Sequence, residues 1–314
     1  MGITAITGVS GVVGQRLLRS LEADRPERVA GIDIRFPAFH PPWLRFFNQD
    51  LRDGSVAQFF RDEGVERVVH LASPFHLIPD EAVQREVLLG GVRGLLSACE
   101  RAGVRRLVMI SSVLVYGPRD ETDALATEES PLRGHPRLAW CRDLVRVEQR
   151  VAEFSAAHPE LSACVLRAAW TAGPGVDTFW TRFLLHAPYL PRTGSVGPSL
   201  SLLHLDDLVG AIRRALASDA RGAFNITGVD RLSLESAAQI LGKRVIWFPA
   251  LILYPTYEAS YRLRAPFARV SSAWLDYYLN PVVVDGGRAE RELRYASRID
   301  SATALRDLVS QPPH

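Results

Sequence analysis

The chain predicts an α/β fold, a doubly wound parallel sheet with a smaller, interleaved C-terminal lobe. Three observations point there. Short apolar runs alternate with amphipathic stretches through the first half, the rhythm of βαβ units. A glycine-rich turn, TGVSGVVG (7–14), lies between the first apolar run and the first amphipathic one. From about residue 171 that rhythm gives way to segments crowded with proline, glycine and aromatic residues.

In order, ITAITG (3–8), RVAGIDI (28–34), RVVHLAS (67–73), RLVMISS (106–112) and ACVLRAA (163–169) read as buried strands. Between them, VVGQRLLRSLEAD, SVAQFFRDEG, VLLGGVRGLLSACERAG and DLVRVEQRVAEFSAAH have helical spacing, with Gly64 and Gly103 placed to close two of the helices. The stretch AGPGVDTFWTRFLLHAPYLPRTGSVGP then suggests loops and short helices over a ligand site. LLHLDDLVGAIRRALAS and GAFNITG read as a return to the sheet, and 231–314 adds a helix, an aromatic segment and a C-terminal helix. The expected division is a nucleotide-binding domain over 1–170, rejoined by 201–228, and a substrate lobe from 171–200 and 229–314.

With 314 residues, 47% hydrophobic and 23% charged, the composition is that of an ordinary soluble protein. A net charge of +2 carries no nucleic-acid or membrane footprint. Lys243 is the only lysine, so any lysine-dependent step could only be placed there. Cys99, Cys141 and Cys164 show no CxxC spacing and read as packed thiols in a reducing, cytoplasmic setting, with no metal site. The start, MGITAITGVSG, lacks a signal-peptide pattern, and the run VIWFPALILYP is too short to span a bilayer.

The turn formed by Gly8, Val9, Ser10, Gly11, Val12, Val13 and Gly14 follows a strand and opens a helix, the setting in which unpaired N–H groups meet a pyrophosphate. Asp33, ending the second strand, is placed to accept from a ribose 2′-hydroxyl, which favours NADH. Arg35, two residues on, could instead hold a 2′-phosphate, which keeps NADPH open. Asp50 and Leu51 suit an adenine ring, while Leu71, Ala72 and Ser73 are small enough to admit the middle of a dinucleotide. His70, beside them, reads as a packed strand-end residue.

These residues together resemble the extended short-chain dehydrogenase/reductase family. The likeness runs through TGVSGVVG, Asp33, Asp50–Leu51, HLAS, GVRRLVMISSVLVYGP, LRAAWTAGPG, LLHLDDLVGAI, GAFNITG and LSLESAAQILG. It implies a Rossmann-like sheet, an NAD(P) cofactor and a C-terminal substrate lobe. It also implies a catalytic set of asparagine, serine, tyrosine and lysine. Of these only Ser112 matches, with Ser111 beside it as possible support. Gly91 stands for the asparagine, Trp140 for the tyrosine and Leu144 for the lysine, a register set by Glu148 further along the same helix. An indole N–H donates but does not ionise to relay a proton.

A reductase of this make can still transfer hydride if the substrate brings its own proton, from a hydroxyl beside the ketone. Tyr116 of the VYG motif reads as a structural residue or, in its place, a reserve acid. Aromatic residues suited to a planar ligand are Trp43, Phe46 and Phe47 after strand two, and Tyr116, Trp140, Trp170, Phe179 and Trp180 near the expected cleft, where Ser112 would orient the carbonyl. The combination resembles the tyrosine-lacking angucyclinone (simocyclinone-type) polyketide ketoreductases, implying an aromatic polyketide substrate in antibiotic biosynthesis. Two other readings stand beside it: a non-catalytic NAD(P)-binding redox sensor, and a sugar-nucleotide epimerase or dehydratase. Arg142, Arg146 and Arg150 stud a helix that often pairs in family dimers, leaving monomer and homodimer open.

Overall fold

The computed structural model describes residues 2–24, 28–72, 78, 80–119, 125–195 and 197–312. Its strands are β1 (Ile3–Thr7), β2 (Val29–Asp33), β3 (Leu44–Asn48), β4 (Val65–His70), β5 (Arg106–Ser112), β6 (Ser162–Ala168), β7 (Trp170–Ala172), β8 (Leu190–Arg192), β9 (Leu202–His204), β10 (Gly222–Ile226) and β11 (Val245–Trp247). Seven of them form one parallel sheet in the order β10–β6–β5–β4–β1–β2–β3. The chain winds outward in one direction from β1 and in the other from β4. The crevice outside the carboxyl ends of those two strands is therefore where this fold receives ligands.

The helices are α1 (Val12–Leu21), α2 (Ser55–Glu63), α3 (Glu81–Arg85), α4 (Gly91–Ala102), α5 (Ala139–Ala157), α6 (Phe179–His186), α7 (Leu205–Leu216), α8 (Leu234–Ile240), α9 (Ala250–Arg262), α10 (Leu275–Leu279) and α11 (Ser301–Ser310). A π-helical turn, Glu86–Gly90, joins α3 to α4. Helices α1 and α7 pack together, as do α2 with α4 and α4 with α5. β5 and β6 are buried at every residue, which explains the apolar runs LVMI and ACVL at their centres. Gly64 and Gly103 end α2 and α4 in left-handed backbone, as the sequence predicts.

Two hydrophobic clusters result. The first fills the sheet and its helices. The second gathers Val176, Trp180, Phe183, Leu184, Leu234, Leu253, Tyr257, Tyr278, Leu305 and their neighbours from the C-terminal half. Segments within 270–293, among them Trp274, Tyr277, Val284 and Leu293, pack into the first cluster, so the C-terminal part is more deeply interleaved than 229–314 as one lobe suggests.

Two expectations change. LLHLDD does not rejoin the main sheet: among the described residues β9 pairs with β7, and β10 is the strand that returns, alongside β6. The aromatic residues after strand two are not cleft walls. Phe46 and Phe47 lie on edge strand β3, where Phe46 packs on Phe36 at 4.8 Å and Phe47 stacks on Phe59 at 4.5 Å between ring centroids. Trp43 sits just before this strand and packs against the first core.

Among the described residues no helix is long and apolar enough to cross a membrane. The three cysteines are free and buried, and burial pushes each thiol up to about 12, which suits packing rather than chemistry.

Candidate active site

The glycine turn sits at the switch between β1 and β4. Gly8 has φ +73°, and its N–H donates to the Ile32 carbonyl at 2.8 Å. A Cβ there would lie 2.6 Å from the Ala72 nitrogen. On Gly14 it would lie 2.5 Å from the Gly8 oxygen. The fold itself thus demands glycine at both places. Gly11 differs: a Cβ would meet only the Gly8 oxygen, at 3.3 Å. Gly11 begins α1 without any side-chain cap, so the helix presents uncapped N–H groups beside an open approach. Val9 is buried, whereas Ser10, Val12 and Val13 are half-buried along the turn. This cradle fits a dinucleotide pyrophosphate.

Asp33 ties the turn to β2. Its carboxylate accepts from the Ser10 N–H at 3.0 Å and the Arg35 N–H at 3.1 Å, which leaves lone pairs for ribose hydroxyls. The Arg35 side chain is exposed at the same edge, and its carbonyl accepts from the Ser10 hydroxyl. Asp50 is clamped by Arg52 through 2.9 and 2.7 Å bonds, which hold its carboxyl below the usual range. Leu51 is buried, with its carbonyl close under Gly94. Leu71 is buried and its N–H donates to Thr7; Ala72 lies against Gly8. Ser73 falls outside the described residues. His70 bonds the Thr7 hydroxyl at 2.7 Å, and burial pushes its imidazole down to about 4, so it is a neutral brace between β1 and β4.

Ser112 ends β5, and its oxygen accepts from the Leu114 N–H at 3.3 Å, capping the turn Val113–Tyr116 on which α5 packs. Ser111 points its hydroxyl at Glu148 instead. Glu148 also accepts from Arg167 at 2.9 and 2.7 Å, with both side chains almost wholly buried. Arg167 donates onward to the Tyr116 oxygen at 2.7 Å, and the Tyr116 hydroxyl donates to Asn225 at 2.7 Å. Of the two roles expected for Tyr116, these bonds match the structural one. The residue is fully buried, its proton is committed to Asn225, and burial raises its pKa, so it is neither a reserve acid nor a ligand contact. Ser111 likewise belongs to this internal network.

Trp140 and Leu144 lie one turn apart on α5, both buried. Trp140 packs on Trp274, centroids 6.0 Å apart; Trp274 meets Phe179 at 4.1 Å, and Trp170 meets Trp180 at 3.8 Å. Trp170, Phe179, Trp180 and Trp274, with Phe183, Tyr257 and Tyr278, line a narrow cleft of about 20 Å³. That volume admits a water and no planar ring, so an aromatic ligand must part the walls. Trp170 and Phe179 are half-buried, whereas the other aromatic walls are buried. Trp274, Tyr257 and Tyr278 were not picked out from the sequence; the aromatic density of SSAWLDYYL was the available signal for Trp274 and Tyr278, and LILYPTYEASY the one for Tyr257. Lys243 takes no part: its amine donates to the Leu184 carbonyl, and burial lowers it to about 8. No three His, Cys, Asp or Glu side chains converge as a metal site among the described residues.

Comparisons with known proteins fit this picture. The model of the NAD dependent epimerase/dehydratase family matches residues 4–227. An uncharacterized protein of Mycobacterium tuberculosis is 27% identical over 97% of this chain and 82% of its own length. A 3-diazoavenalumate denitrifying reductase from a Streptomyces species is 29% identical over 71% of this chain and 74% of its own. Among solved structures, the UDP-glucose 4-epimerase of Thermotoga maritima superposes with a TM-score of 0.75 at 18% identity, covering 98% of both chains. At that identity the likeness concerns the fold.

Proposed function

The chain belongs to the NAD dependent epimerase/dehydratase family, and from that premise we propose that it is an NAD(P)H-dependent ketoreductase of an aromatic, angucyclinone-like polyketide. The family makes it a nicotinamide-dependent enzyme of the extended short-chain dehydrogenase/reductase type. The single observation behind the narrower reading is the pair Trp140 and Leu144, buried where the family places its tyrosine and lysine. Neither side chain exchanges a proton, and Tyr116 has been withdrawn into the core. The proton is therefore assigned to the substrate, to a hydroxyl neighbouring the ketone.

The bound cofactor supplies hydride. The chain's own residues do the rest. The α1 N-terminus and the glycine turn hold the pyrophosphate, and Asp33 holds a ribose hydroxyl. Ser112 accepts from Leu114 and keeps its own hydroxyl proton, which can point at the ketone oxygen. The aromatic walls exclude water and set a planar ring. A neighbouring phenol has a pKa of about 10, like the missing tyrosine, and intramolecular placement reaches effective molarities of about 10⁵ M or more. Epimerase or dehydratase chemistry on a sugar nucleotide depends on the tyrosine that this chain lacks. The printed name of the Streptomyces relative, a reductase, supports the direction of chemistry.

The test is NAD(P)H oxidation over a panel of bicyclic and polycyclic aromatic ketones with a hydroxyl beside the carbonyl. Turnover of hydroxyketones supports the reading. Tight cofactor binding with no turnover across the panel overturns it in favour of a non-catalytic redox sensor.

A further inference from the structure

Two tryptophans of the aromatic region share a property that packing alone does not explain. The indole nitrogens of Trp140 and Trp180 are buried and have no hydrogen-bond partner among the described residues. The side chains are 5% and 4% exposed. A buried N–H without an acceptor costs about 1–3 kcal/mol, and buried tryptophans ordinarily find one. Phenylalanine would fill such aromatic sites without incurring that cost. Here the two orphaned donors flank one aromatic cluster: Trp180 lines the cleft, and Trp140 packs on Trp274, which lines it too.

We propose that the indole N–H groups of Trp140 and Trp180 are preset donors for oxygen atoms of the bound aromatic ligand. Trp140 is assigned to the reacting carbonyl from its place on α5, where the family carries its tyrosine and where the helix packs on the turn that Ser112 caps. Trp180 serves a second oxygen on the same ring system. The inference rests on the aromatic-ketone reading and deepens it: the ligand class is a planar ring bearing at least two acceptor oxygens. Trp140 then polarises the carbonyl without giving up its proton, and the donated proton comes from the substrate hydroxyl. Of the other walls, Phe179, Phe183, Trp170 and Trp274 offer no acceptor, and although Tyr257 and Tyr278 also line the cleft, neither of their hydroxyls takes an indole N–H. An oxygen-bearing ligand recovers the cost carried by these two N–H groups and an oxygen-free one does not, which makes the pair a specificity device.

Two probes separate oxygen recognition from shape: a tetralone with a hydroxyl peri to its ketone, and tetralin, the same skeleton without oxygen. Binding is measured by calorimetry with the oxidised cofactor present, so that no reduction occurs. Trp140→Phe and Trp180→Phe should each weaken the hydroxytetralone by about 5- to 100-fold and tetralin by less than about twofold. Equal weakening of both probes overturns the inference and leaves the aromatic-ketone reading standing. Failure of the wild-type protein to bind either probe overturns both. Nuclear magnetic resonance of the ¹⁵N-labelled wild-type protein gives a readout independent of any variant's folding. Of the indole N–H signals of its six tryptophans, two should move downfield with hydroxytetralone and stay with tetralin. The same movement with both probes, or none with either, contradicts the proposal.

Discussion

Replacing Glu148 with glutamine removes the charge that holds α5 to the sheet. Glu148 and Arg167 are 5% and 6% exposed and meet through two short bonds on one carboxylate oxygen, while the other oxygen takes the Ser111 hydroxyl. Breaking a buried pair by removing one partner costs about 3–5 kcal/mol, mainly because the remaining charge is left uncompensated. Glutamine keeps an acceptor for Ser111, so Glu148→Gln should cost about 3 kcal/mol. Arg167→Met leaves the carboxylate alone and takes a donor from Tyr116, so it should cost about 3–5 kcal/mol. Because each single change strands the other member of one pair, and the double variant strands neither, the double variant should lose at least about 2 kcal/mol less than the sum. Urea unfolding followed by both tryptophan fluorescence and circular dichroism measures all three. Additive losses, or single losses below about 1 kcal/mol, would refute the claim that this network anchors the helix carrying Trp140.

Two further outcomes follow from the nucleotide site. Gly11→Ala should leave stability within about 1 kcal/mol while weakening cofactor binding, whereas Gly8→Ala and Gly14→Ala should lose both, since their added methyl groups meet backbone at 2.6 and 2.5 Å; thermal melts with and without NAD(P)H distinguish the two classes. His70 is neutral in the fold, with its pKa depressed to about 4 against about 6.5 unfolded, so between those values the unfolded chain binds more protons. Its contribution to stability is full above about pH 6.5 and falls by up to about 3 kcal/mol as pH drops towards 4; His70→Asn should flatten that part of the stability profile in urea titrations at stepped pH.

Much of the architecture was legible because parallel strands buried on both faces carry apolar runs at their centres. RLVMISS and ACVLRAA are buried throughout, and the sequence says so directly. LRFFN escaped because an edge strand is only half covered: Arg45 is exposed, and its phenylalanines look like ligand walls until Phe36 and Phe59 are seen packed on them. The glycine turn and Asp33 were readable from local chemistry, since the turn, the helix start and the acid lie within one βαβ unit. Tyr116 was left between a structural role and an acid role for the opposite reason. Its hydroxyl is held by Asn225, 109 residues away, a pairing that no local pattern encodes. The cleft shows the same limit. Trp140 was found by its position in a motif, but Trp274 meets it only through tertiary packing, and unpartnered indole nitrogens exist only in three dimensions.

The central claim is that the proton in ketone reduction comes from the substrate. Its most direct measurement is single-turnover NAD(P)H oxidation with an aromatic peri-hydroxyketone and with its O-methyl ether, compared at saturating ketone. Removing acid–base help of this kind is worth about 10²–10⁴-fold, so the ether should react slower by at least about 10²-fold while still binding. Equal rates for the two ketones would contradict the account and require a proton donor on the protein.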